Sequence, residues 1–106
     1  MISFEDFQRM QLVVGRIASV EDHPNADRLY VMQIDIGGET RQSVAGLKAY
    51  YTPEALVGKL VAVVANLEPA SLRGVESQCM ILAAAEGSNV VFLTPEREIA
   101  VGAAIH

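Results

Sequence analysis

From Leu29 to Ile36 apolar and polar positions alternate, and Gly37-Gly38 then turns the chain back into Thr40–Ala45. That pattern predicts a β-hairpin. Upstream, Leu12-Val13-Val14-Gly15-Arg16-Ile17-Ala18-Ser19-Val20 is long and rich in β-formers, with Gly15 predicting a bulge or bend inside it. Asp22-His23-Pro24-Asn25-Ala26-Asp27 reads as a polar loop carrying a Pro-Asn turn. Lys59–Ala65 is an almost unbroken apolar run, suited to a strand buried on both faces, and Cys79–Ala84 is another. Val90–Leu93 predicts a short last strand, and Val101–Ile105 an added edge. Two short helices punctuate these strands. Ser3-Phe4-Glu5-Asp6 resembles a capping box ahead of the first. Thr52-Pro53-Glu54 opens the second, with Gly58 just past its end.

Five or six strands and a central short helix predict an all-β fold. At 106 residues there is room for one core, so the expectation is a single domain over residues 1–106. Closing the sheet into a small barrel is the economical way to remove its edges. Pattern alone does not choose among small barrels.

Composition changes the picture in three places. No run is long enough to span a bilayer, and acidic residues stand near the N-terminus where a signal peptide carries positive charge, so a cytoplasmic protein is expected. A single cysteine, Cys79, excludes an internal disulfide and a cysteine-rich metal site. The net charge of −5 argues against a strong non-specific nucleic-acid binder, although it does not locate the charges.

A set of segments, in order, carries a resemblance. These are Val14-Gly15-Arg16-Ile17, His23-Pro24-Asn25-Ala26-Asp27-Arg28-Leu29, Asp35-Ile36-Gly37, Arg41-Gln42 and Ala45-Gly46. They continue through Pro53-Glu54, Gly58-Lys59, Ala65-Asn66-Leu67-Glu68-Pro69, Leu72-Arg73-Gly74-Val75-Glu76-Ser77 and Met80. The set resembles the tRNA-binding domain found at the C-terminus of many methionyl-tRNA synthetases. That domain also occurs as a separate synthetase β-subunit, as a free structure-specific tRNA-binding protein, in the endothelial-monocyte-activating polypeptide proteins, and at the start of the phenylalanyl-tRNA synthetase β chain. The resemblance implies an OB-fold small barrel with short helices and N- and C-terminal extensions. It implies a homodimer built from those extensions, here through Phe4, Phe7, Val101 and Ile105, and binding to tRNA by shape more than by sequence. Val13 and Ser71 stand where the family commonly has basic residues, and Cys79 replaces the glycine of its serine-to-methionine signature.

Candidate tRNA contacts follow from chemistry and from these matched positions together. Arg16, Arg28, Arg41, Lys48 and Arg73 are the candidate phosphate ligands, because a guanidinium offers a fork of donors to phosphate oxygens. Neutralising about five phosphates would make log affinity fall against log salt with a slope of roughly −3.5 to −4.5. Ser77, Met80 and Asn66 join them: a hydroxyl donor, a soft apolar surface, and an amide that either caps a strand end or reaches RNA. Tyr30, Tyr50 and Tyr51 are the aromatic side chains available for base stacking, though Tyr50-Tyr51 serves equally to cover a barrel end. Each arginine is, on pattern alone, as readily an ordinary surface charge.

No catalytic chemistry is legible. His23 and His106 are the only histidines; Asp22, His23 and Asp27 lack a second His or a Cys partner for a metal. There is no Ser-His-Asp arrangement, P-loop or dinucleotide motif, and no cofactor is expected. The leading expectation is non-catalytic tRNA binding in support of aminoacylation, with a synthetase catalytic chain as a candidate partner; the run from Met1 to His106 favours a free protein. A protein-interaction or dimerisation docking module, or a chaperone-like relative, is the first rival. An enzyme of unknown type is the second.

Overall fold

The structure, a computed structural model, describes residues 1–106. Helix α1 (Phe4–Gln8) is followed by β1 (Leu12–Asp22), β2 (Tyr30–Asp35) and β3 (Thr40–Ala45). Helix α2 (Pro53–Leu56) leads to β4 (Leu60–Val64), β5 (Ala70–Leu72), β6 (Val75–Ser77), β7 (Met80–Ile81), β8 (Ala83–Glu86) and β9 (Asn89–Phe92). The main sheet runs β3-β2-β1-β4-β7, all antiparallel, with β5–β6 and β8–β9 as separate hairpins.

Strand β1 is the pivot. Leu12–Arg16 pair with β4 and Arg16–Asp22 with β2, so one strand serves both halves of the sheet. A bend is needed to do this, and the register shifts between Ile17 and Ser19, not at Gly15. Gly15 answers a different constraint: a Cβ there would lie 2.8 Å from Val63 Cγ2 and 2.9 Å from Ile34 Cγ2. The two halves of the sheet approach too closely at that point for any side chain. Alternation along β2 sends Tyr30, Met32 and Ile34 inward, where they meet Ile17, Leu56, Val61, Val63 and Cys79 in one core.

Two connections bring the sheet close to a barrel. Residues 76–78 bond the free edge of β3: Gln78 N–H donates to the Gln42 carbonyl at 2.7 Å and Val44 N–H donates to Ser77 Oγ at 3.0 Å. Val101–Ile105 adds an edge to β1, as the pattern predicts, through Val14 N–H to Ala103 O and Ile105 N–H to Leu12 O, both 2.9 Å. This tail crosses the β2–β3 turn where Gly37 and Gly102, both at φ +91°, interlock. The fold is an all-β, OB-like barrel.

Two local expectations change. Cys79–Ala84 is not one strand: at Leu82 the chain switches partners, its N–H going to Ala62 O while Ala83 pairs with Phe92. The β5–β6 hairpin, unforeseen, turns on Arg73-Gly74 with φ of 53° and 88°. At the N-terminus Ser3 Oγ does accept from Asp6 N–H at 3.1 Å, but α1 buries no residue.

Candidate nucleic-acid interface

In an OB barrel the face of the second and third strands, with the loops flanking it, takes nucleic acid. Here those loops are residues 23–29, between β1 and β2, and residues 65–79, between β4 and β7. They touch. His23 Nε2 lies 2.8 Å from Leu72 O, and the Arg73 guanidinium donates to Asn25 O at 3.4 Å. Asn25, Ala26, Asp27, Arg28, Leu29 and Arg73 together line a concavity of about 350 Å³.

Charge pairing sorts the candidate cations. Arg16 donates to Gly58 O at 2.8 Å and reaches Glu98 at 3.5 Å, Lys48 pairs with Asp22 at 3.1 Å, and Arg41 pairs with Glu39 at 3.0 Å. Arg9 and Arg97 are paired with Asp6 and Glu96. Of the eight basic side chains, Arg28, Lys59 and Arg73 have no carboxylate partner. Arg28 and Arg73 share the concavity with Asp27, so two of the three unpaired basic side chains lie in these loops, while Lys59 lies outside them.

The remaining candidates divide by what already occupies their polar atoms. Arg41 pairs across from Ile34 on the inward side of β3, and its guanidinium also bonds the Ala65 carbonyl, so it ties the end of β3 to the end of β4. Asn66 Oδ1 accepts from Gln11 N–H at 2.7 Å and its Nδ2 donates to Arg9 O at 2.8 Å, which fastens the N-terminal extension to the barrel. Ser77 Oγ accepts from Val44 N–H and donates to Cys79 O at 3.3 Å, sealing the edge of β3. Met80, by contrast, is exposed. With Leu67, Leu72, Ser77 and Cys79 it lines an apolar concavity of about 210 Å³ under the 65–79 connection.

The tyrosines are mostly structural. Tyr30 is buried and donates to Tyr51 O at 2.8 Å; Tyr51 donates to Val90 O at 2.6 Å and packs on Phe92 with ring centroids 5.0 Å apart. Only Tyr50 is exposed and free to stack. A glutamine ladder went unnoticed in the sequence. Gln33 Nε2 donates to Gln42 Oε1 at 3.0 Å, and Gln42 Nε2 donates to Glu76 O at 2.8 Å. Their register on adjacent strands was the available signal.

Cys79 is buried, and burial pushes its thiol above the ordinary range, against smaller downward pulls from the Ser43 hydrogen bond and the Arg41 charge. It packs as a small apolar group. Val13 is likewise core, paired with Val63, whereas Ser71 is exposed on β5. Among the extension residues Phe4 is 71% exposed, while Phe7, Val101 and Ile105 are half-buried. Ile105 also lines an apolar concavity of about 340 Å³ with Val14, Ala62, Leu93 and Pro95. No three His, Cys, Asp or Glu side chains gather where they could hold a metal, and no helix is long and apolar enough to cross a membrane.

Comparison with known proteins identifies the family and the fold. Residues 12–104 match the family described as "Putative tRNA binding domain". The chain is 57% identical over 104 residues to the methionine–tRNA ligase of Thermococcus kodakarensis, covering 98% of this chain and 14% of the ligase. It is 50% identical over 101 residues to that of Archaeoglobus fulgidus, covering 95% of this chain and 15% of the ligase. The chain therefore spans about one-seventh of these relatives. Two solved structures share the whole fold. The MetRS related protein of Pyrococcus horikoshii has a TM-score of 0.91 at 31% identity, covering 100% of this chain and 98% of that one. The chaperone CsaA of Bacillus anthracis has a TM-score of 0.88 at 31% identity, covering 100% and 99%. The convergent loops, the barrel and these matches together establish that the chain belongs to the tRNA-binding domain family.

Proposed function

We propose that this chain binds tRNA without catalysing a reaction, recognises it by shape, and supports aminoacylation by a synthetase catalytic chain. The observation that carries the reading is the meeting of the two loops at an arginine-lined concavity beside the β2–β3 face. A small set of phosphate contacts and a single exposed tyrosine favour backbone and outline over base reading. Two such sites in one homodimer, joined through the exposed Phe4 and the apolar surface beside Ile105, would raise effective concentration and span the bent tRNA. The setting is the cytoplasm, where tRNA is charged.

The test is binding of folded tRNA and of a linear single strand by the purified protein at low and moderate salt. Salt-sensitive preference for folded tRNA supports the reading; equal or absent binding overturns it. A second reading, a docking module for apolar peptide segments, rests on the concavity lined by Leu67, Leu72 and Met80 and on the likeness to a protein named a chaperone. Binding of an apolar peptide blocked by substituting Met80 would favour it.

A further inference from the structure

His23 belongs to neither the core nor the set of candidate RNA contacts, yet it is 6% exposed and both of its ring nitrogens are engaged. Nδ1 lies 2.9 Å from the Asn25 N–H, which can only donate. Nε2 lies 2.8 Å from the Leu72 carbonyl, which can only accept. These partners fix the tautomer: Nδ1 carries no proton and Nε2 carries one. The first bond closes the 23–29 loop on itself, in the manner of an Asx turn, helped by His23 N–H donating to Leu29 O at 3.1 Å. The second bond crosses to the β5–β6 hairpin, at the residue immediately before Arg73. The only other side-chain bond between the loops is the longer one from Arg73 to Asn25 O.

We infer that His23 is a positioning residue for the RNA site: its Nε2–H holds the β5–β6 hairpin against the 23–29 loop and so sets the distance between Arg73 and Arg28. This rests on the tRNA-binding reading above. Paired phosphate contacts require the two guanidinia to be held together before RNA arrives; otherwise the ordering cost falls on binding. An imidazole suits the task because one rigid ring supplies an acceptor to its own loop and a donor to the next.

Two substitutions separate these halves. His23→Asn keeps an acceptor for Asn25 N–H and removes the reach to Leu72; His23→Gln restores a donor at the Nε2 position. With wild type that binds tRNA, we expect H23N to fold, to melt several degrees below wild type for the lost buried bond, and, well below that midpoint, to bind tRNA about tenfold more weakly. H23Q should recover most of that loss. Adding H23N to Arg73→Ala should cost little more than R73A alone, because the cross-loop bond acts through Arg73. The nitrogen spectrum of the wild-type imidazole should show Nε2 protonated and Nδ1 bare at neutral pH. Wild-type affinity in H23N, additive losses in the double variant, or a proton on Nδ1 would overturn the inference alone. Failure of the wild type to bind tRNA would overturn the functional reading and this assignment together.

Discussion

Arg73 is held at φ 53°, in the left-handed region, at the first position of a two-residue hairpin turn. Asparagine enters that region several-fold more readily than most side chains, an advantage of about 1 kcal/mol. Arg73→Asn forfeits the bond to Asn25 O, which at 3.4 Å and on the surface contributes about 0.5 kcal/mol. The balance predicts a variant more stable by about 0.5 kcal/mol, with Tm higher by about 2–4 °C for a domain of this size. Binding should move the other way. With Arg28 and Arg73 as the unpaired cations of the concavity, two phosphate contacts per chain give a log–log salt slope of about −1.4 to −1.8, shallower than five would give. Removing one contact should flatten it by about 0.7–0.9. Calorimetry and tRNA titration across a salt series read both quantities from the same preparation. A lowered Tm would refute the backbone-strain reasoning. An unchanged slope and affinity would refute Arg73 as a phosphate ligand.

Gly15→Ala forces a methyl against Val63, Ile34 and the Asp35 carbonyl and should cost about 1–3 kcal/mol, read as a lower urea midpoint. Asn66→Ala removes both bonds to the N-terminal extension and should lower stability by about 1–2 kcal/mol while tRNA affinity holds; weaker binding at unchanged stability would instead make Asn66 an RNA contact. Cys79 keeps its proton longer in the folded chain than in the unfolded one. Its contribution is therefore complete below the ordinary thiol range and lost as pH rises through the raised native value. The urea midpoint of wild type should fall more steeply with alkaline pH than that of Cys79→Ala, and the native thiol should alkylate slowly at neutral pH.

The elements carried by local pattern were legible. Gly37-Gly38 announced the β2–β3 hairpin, the run Lys59–Ala65 announced β4, and the apolar tail announced the edge at Val101–Ile105. Features decided by long-range pairing were not. Nothing near Leu82 marks the exchange of partners, since residues 79–84 are uniformly small or apolar. The β5–β6 turn uses Arg-Gly, which signals a two-residue hairpin less clearly than Asn-Gly. At the site, the arginines are visible in sequence, but the Arg16–Glu98 pair joins residues 82 positions apart, and such partners decide which cations stay available. The inward side of the sheet on which Tyr30 and Arg41 lie could have been read by extending the alternation of β2 across to β3.

The seam between Leu12–Val14 and the tail at Gly102–Ile105 is antiparallel, so the chain enters and leaves the barrel side by side. Tension applied through both ends would load that seam one hydrogen bond at a time, as a zip is opened, instead of shearing several bonds together. Resistance to pulling is set by the rate of such an opening and not by the overall stability. The domain should thus yield at low force through its ends even where it resists heat.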